Sequence, residues 1–89
     1  MVTAQLIICN KLGLHARAAT KFSNVANQYS SKIKVGCNGK SIDGKSIMAL
    51  MLLAASIGTE VEICADGCDE EQAIAALANL INNKFDEGE

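Results

Sequence analysis

The sequence predicts an α+β fold: an open-faced two-layer sandwich of order β-α-β-β-α-β-α, with a four-stranded antiparallel sheet and three helices on one face. Three observations carry that prediction. Ala19, Phe22, Ala26 and Tyr29 fall on one face of a helix, at spacings of three and four residues. Lys32-Ile33-Lys34-Val35 and Glu60-Val61-Glu62-Ile63-Cys64-Ala65 alternate polar with apolar, as strands with one wet face do, which favours an antiparallel sheet covered on its other face. Asn38-Gly39 stands just after the first alternating run and marks a hairpin, because a type I′ turn needs positive φ at both central positions.

Taken in order, Gln5 to Cys9 is a mostly apolar run that reads as the first strand, and Asn10-Lys11-Leu12-Gly13 follows as a loop. Ala16 to Tyr29 reads as the first helix. Lys32 to Val35 is the second strand, and Ser41-Ile42 returns from the hairpin as a short third. Ser46 to about Ala54 is a short helix, apolar almost all round, with Ser46 as its N-cap and Gly58 ending the segment. Glu60 to Ala65 is the fourth strand and Asp66-Gly67 turns the chain. Asp69 followed by Gln72 suggests a capping box. The helix behind it runs to about Asn82 and buries Ile74, Leu77, Ala78 and Ile81. Asp86-Glu87-Gly88-Glu89 reads as a frayed acidic tail.

Eighty-nine residues hold one domain. An apolar fraction of 49% with 20% charged residues is globular rather than disordered composition. A net charge of −2 and only three aromatic residues (Phe22, Tyr29, Phe85) argue against nucleic acid, which needs basic surface or stacking platforms. The N-terminus lacks a basic segment followed by a long apolar one. The longest apolar stretch, Ile47 to Ala55, is too short to span a bilayer. The expected compartment is therefore the cytoplasm, where Cys9, Cys37, Cys64 and Cys68 would stay reduced. Cys64-x3-Cys68 lacks zinc-site spacing, and the single histidine, His15, is far away, so neither a metal nor another cofactor is expected.

Gly39-Lys40-Ser41-Ile42-Asp43-Gly44-Lys45-Ser46 satisfies the G-x-x-x-x-G-K-[ST] pattern of a nucleotide-binding loop. Such a loop sits on a buried parallel strand, whereas Lys32 and Lys34 flank Ile33 with charge. The chain is also too short for a nucleotide-binding sheet, and no later strand offers an aspartate for Mg²⁺. The hairpin accounts for Gly39.

The chemistry concentrates in Gly13-Leu14-His15-Ala16-Arg17. His15 falls where loop becomes helix, beside first-turn amides that have no intrahelical acceptor and that attract anions, phosphate above all. Arg17 offers a forked set of donors to a phosphoryl group. A histidine, a cation and open amides suit a transient phosphohistidine. A surface cap beside a solvated arginine accounts for the same residue types.

This segment resembles the active-site motif of the HPr family, the histidine phosphocarriers of the bacterial phosphotransferase system. The resemblance spans nearly the whole chain. Asn38-Gly39-Lys40 is similar to the family's hairpin, Gly44-Lys45-Ser46-Ile47-Met48 to its regulatory serine segment, and Gly58-Thr59 and Ala65-Asp66-Gly67 with Asp69-Glu70 to its last strand and the start of its last helix. The resemblance implies that His15 accepts a phosphoryl group from enzyme I through Nδ1 and passes it to a histidine of an enzyme IIA protein, with Arg17 steadying the charge. Such a protein is a shuttled carrier, calling it an enzyme being partly convention, and it works as a monomer without metal or membrane insertion. Ser46 is implied as a regulatory phosphosite, with a serine kinase as a further partner, and Ile47, Met48 and Met51 as partner docking residues, where methionine adapts to several surfaces. Leu50 and Leu53 are the core candidates of that helix. One departure stands out: Ala18 occupies the family's usual proline position, which should loosen the helix start and leave an extra amide donor.

Two branches fit. Asn10-Lys11-Leu12-Gly13 and the Phe85-Asp86-Glu87 tail look like the nitrogen-related regulatory relative, while the Ser46 segment looks like the kinase-regulated carrier of sugar uptake. Outside the family, a ferredoxin-like ligand-binding module would need aromatic or basic residues on its sheet, and a metal or thiol-redox carrier would need better cysteine spacing.

Overall fold

A computed structural model of the chain describes residues 1–53 and 55–86. Glu87, Gly88 and Glu89 of the expected tail, and Ala54 at the expected end of the short helix, lie outside the described residues. The elements are β1 (Val2–Ile7), α1 (Ala16–Ala26), β2 (Lys32–Cys37), β3 (Lys40–Asp43), α2 (Ile47–Leu53), β4 (Glu60–Asp66) and α3 (Glu70–Asn82), then a 3₁₀ turn at Lys84–Asp86. The four strands form one antiparallel sheet of order β1-β4-β2-β3. The expected architecture and element order are those observed.

Alternation does the sorting. Ile33, Val35, Val61, Ile63 and Ala65 point into the core, while Lys32, Lys34, Glu60 and Glu62 stay wet. The helices cover the dry face: α3 packs on β1 and β4, α2 on β3, and α1 lies between the other two helices. Phe22 and Leu77 are fully buried at that interface of helices and sheet, with Leu50 of α2 beside them. Burying such side chains contributes roughly 1.5–3 kcal/mol each. Asn38 and Gly39 take φ of 52° and 82°, as the hairpin requires.

Several boundaries differ from the sequence reading. β1 begins at Val2 and ends at Ile7, not at Gln5 and Cys9. Its half-buried Val2, Ala4 and Leu6 alternate with exposed Thr3, Gln5 and Ile7, a period of two that the later apolar run masks. Beyond the strand, buried Ile8 exchanges backbone bonds with Thr59 (2.9 Å) and Gly58 (2.8 Å). α1 stops at Ala26, three residues before Tyr29, because Asn27 caps it. The Asn27 amide donates to the carbonyls of Ser23 (2.8 Å) and Lys45 (3.2 Å), and Tyr29 packs on the core from outside the helix.

The expected Asp69–Gln72 capping box is not formed. The Asp69 carboxylate turns away from α3 and accepts the Ser31 hydroxyl and the amides of Ser30 (2.9 Å) and Ser31 (3.0 Å). Those donors, the Ser31 hydroxyl first, hold its pKa down to about 2. Glu70 instead accepts the Gly67 amide at 3.1 Å. The buried stripe of α3 is Ala73, Leu77, Leu80 and Ile81, leaving Ile74 and Ala78 half-buried on its flank. Phe85, read as part of a tail, is fully buried with φ of 53°, and the Lys21 ammonium donates to its carbonyl at 2.7 Å.

Candidate functional site

The loop from Asn10 to His15 is fastened to the chain that follows α2. Gly13 N–H donates to the Asn10 carbonyl (3.2 Å), and the Asn10 side-chain amide donates back to the Gly13 carbonyl (2.8 Å). Leu14 N–H donates to the Ala55 carbonyl at 2.8 Å, and the Leu14 side chain is buried. Gly13 has φ of 67°, and a Cβ there would lie 2.8 Å from the Ser56 Cα and nearer still to the Ala55 carbonyl oxygen. Only glycine suits both the backbone angle and the contact.

His15 is the N-cap of α1, with extended backbone (φ −79°, ψ −179°) and no side-chain capping bond. Its carbonyl accepts Ala19 N–H at 2.8 Å, the first intrahelical bond. By helix geometry the amides of Ala16, Arg17 and Ala18 precede that bond. Ala18 is nevertheless fully buried, so the extra donor expected from the missing proline is not presented to solvent: core packing of α1 seals it. Arg17 is exposed in the first turn.

The half-buried His15 lines an open depression with Leu12, Leu14, Ala16, Met51, Ala55 and Ser56. The fold thus brings His15 and Met51 together from different elements. Ile47 and Met48 lie outside the depression, one turn back along α2, and are exposed at 40% and 75%, as Met51 is at 45%. Leu50 is buried and Leu53 half-buried, so the division between dry and wet sides of α2 follows expectation. Exposed apolar side chains that escape sequence reading include Leu52 at 79%, beside Met51 in α2, and Leu12 at 66%, in the lining of the depression. A helix apolar on every side does not announce which side is wet, and Leu12 reads as loop.

Ser46 caps α2. Its hydroxyl oxygen accepts Ala49 N–H at 3.2 Å and its carbonyl accepts Leu50 N–H at 3.1 Å. The turn before it is rigidly held. The Asp43 carboxylate accepts Lys45 N–H (2.9 Å), the Lys45 ammonium donates to the Tyr29 carbonyl (2.7 Å), and the Ser23 hydroxyl donates to the Lys45 carbonyl (2.8 Å), tying α1 to the start of α2. Cys9, Cys37, Cys64 and Cys68 are all free thiols. Among the described residues, no helix is long and apolar enough to cross a membrane.

Comparison with known proteins bears on this arrangement. Residues 2–83 match the family model described as "PTS HPr component phosphorylation site". The chain is 53% identical over 90 residues to a phosphocarrier protein HPr of Pseudomonas aeruginosa, covering all of both chains. It is 37% identical over 83 residues to a phosphocarrier protein NPr of Shewanella violacea, covering 93% of this chain and 91% of that one. Among solved structures, an HPr from Thermoanaerobacter tengcongensis superposes with a TM-score of 0.95 at 46% identity, each chain covered to 98%.

Proposed function

The chain belongs to the HPr phosphocarrier family of the phosphotransferase system, and from that premise we propose that His15 is its phosphoryl acceptor and donor. The observation that carries the reading is the placement of His15 at the N-cap of α1, where the first-turn amides begin, and in the lining of an open, mostly apolar depression. The Nδ1 lone pair attacks the phosphorus carried by a histidine of enzyme I. The donor P–N bond breaks as the P–N bond to His15 forms. The reverse chemistry hands the group to a histidine of an enzyme IIA protein. The helix end supplies positive potential for the phosphoryl oxygens, and Arg17 adds a cation with forked donors. Ile47, Met48 and Met51, joined by Leu12 and Leu52, form the apolar surface that partners cover. Ser46 is a regulatory phosphosite for a serine kinase, where added charge beside that surface opposes docking. No cofactor takes part.

An HPr and an NPr both stand among its relatives, and the enzyme IIA protein that takes the group from His15 distinguishes the sugar-uptake branch from the nitrogen-related one. The test is incubation with phosphoenolpyruvate and a matching enzyme I, followed by intact-mass measurement. One phosphate should be gained, labile to acid and stable to alkali, and lost in His15→Ala with circular dichroism unchanged. A stable label on His15→Ala would refute the assignment.

A further inference from the structure

We propose that Asn10 is a positioning residue for His15, a deepening that rests on the phosphocarrier reading above. Asn10 is fully buried, and a buried side-chain amide is costly unless it is hydrogen-bonded. Its Nδ2–H donates to the Gly13 carbonyl at 2.8 Å while Gly13 N–H donates to the Asn10 carbonyl at 3.2 Å. These two bonds, running in opposite directions, close residues 10–13 into one turn. The turn holds Gly13 at φ of 67° and sends Leu14 N–H onto the Ala55 carbonyl at 2.8 Å. The next residue is His15. Its backbone is thus gripped on one side by the turn and on the other by the first helical bond, His15 O to Ala19 N at 2.8 Å.

The bonded partner of Nδ2 lies two residues from the imidazole, so Asn10 acts through the loop rather than on the phosphoryl group. Lys11 and Leu12, both exposed, form the tip of the same turn. Leu12 lines the depression with His15 and Met51. The Asn10 amide therefore fixes the loop that bears the acceptor and one of the surfaces around it. An in-line transfer depends on such placement, and a displacement of about 1 Å can cost on the order of 100-fold in rate.

The experiment compares Asn10→Ala and Asn10→Asp with the unmodified protein in transfer from phosphorylated enzyme I, below the melting transition of each. Asn10→Ala removes the donor. It should lower kcat by about 10- to 100-fold, with a smaller rise in KM from the loosened Leu12, because the α2 part of the docking surface is untouched. A stability control is Ala73→Gly in the first turn of α3, which follows the end of β4 remote from this loop; it should melt lower yet keep the kcat of the unmodified protein. Asn10→Asp keeps the shape. As an ionised carboxylate it repels the Gly13 carbonyl, and as a neutral acid it donates to it, so its kcat relative to the unmodified protein should rise as pH falls. Folded Asn10→Ala with unaltered kcat, or a flat pH profile of that ratio for Asn10→Asp, would overturn the proposal. Failure of the unmodified protein to gain phosphate on His15 would instead overturn the phosphocarrier reading itself.

Discussion

Replacing Gly13 by alanine tests how tightly the His15 loop is pressed against the chain after α2. Two costs add. The left-handed backbone at φ of 67° costs an alanine roughly 1–2 kcal/mol. The new Cβ would also meet backbone, 2.8 Å from Ser56 Cα and closer to the Ala55 carbonyl, and forced shifts of that kind cost about 1–3 kcal/mol more. Gly39 separates the terms. It has φ of 82°, but a Cβ there meets nothing within 4 Å, so Gly39→Ala carries the conformational cost alone. At roughly 4–8 °C per kcal/mol for a domain this size, Gly13→Ala should melt about 8–40 °C lower and Gly39→Ala about 4–16 °C lower. Thermal unfolding by circular dichroism measures both. Gly13→Ala should also slow phosphoryl transfer where it is still folded, since relief of the clash moves Leu14 and His15 away from Ala55, while Gly39→Ala should not. Equal melting temperatures for the two variants would show that the loop yields without resistance and would refute the steric argument.

Arg17→Ala should slow transfer from enzyme I by about one to three decades, the equivalent of roughly 2–4 kcal/mol of lost charge stabilisation, and Arg17→Lys should restore part of it; stopped-flow or quench kinetics reads the difference. Ser46→Ala removes the acceptor of Ala49 N–H and should lower stability by about 1 kcal/mol with transfer intact. Ser46→Asp should keep the melting temperature yet weaken transfer, because a charge joins the docking surface; equal rates for all three proteins would leave Ser46 a cap only. Asp69, with its pKa lowered from 3.8 to about 2 in the fold, contributes stability that is full above the unfolded value and is lost as pH falls through the folded one. Melting temperature should therefore decline as pH falls from about 4 to about 2, and less steeply in Asp69→Asn, as an acid titration followed by circular dichroism would show.

Much of this molecule is legible locally. The hairpin follows from Asn38-Gly39, because few other pairs tolerate positive φ twice. The wet face follows from Glu60 and Glu62 alternating with Val61 and Ile63. What escapes depends on distant segments. Asp69 reads as a helix cap, but Ser30 and Ser31, nearly forty residues earlier, compete successfully for its carboxylate. Phe85 reads as tail until the core is seen to accept it. At the site, the His15 and Arg17 motif is plain in the sequence, whereas the Asn10 bond to Gly13 and the exposure of Leu12 and Leu52 arise from tertiary packing. The buried stripe of α3 is read half right for the same reason: Leu77 and Ile81 are buried as expected, but Ala73, Ala75, Ala76 and Ala78 give weak signals, and packing buries Ala73 and Leu80 instead of Ala78 and Ile74.

The depression around His15 has a consequence for the order of events. On the proposed reading, a single acceptor histidine, half-buried in one open depression, admits one protein at a time. Donor and recipient would then compete for the same footprint, and no complex of all three would form. Exchange is then necessarily a matter of departure before arrival, and turnover depends on how readily each partner lets go. An excess of unloaded recipient should therefore slow the loading step by occupying the footprint, and tighter binding by either partner should make the shuttle slower.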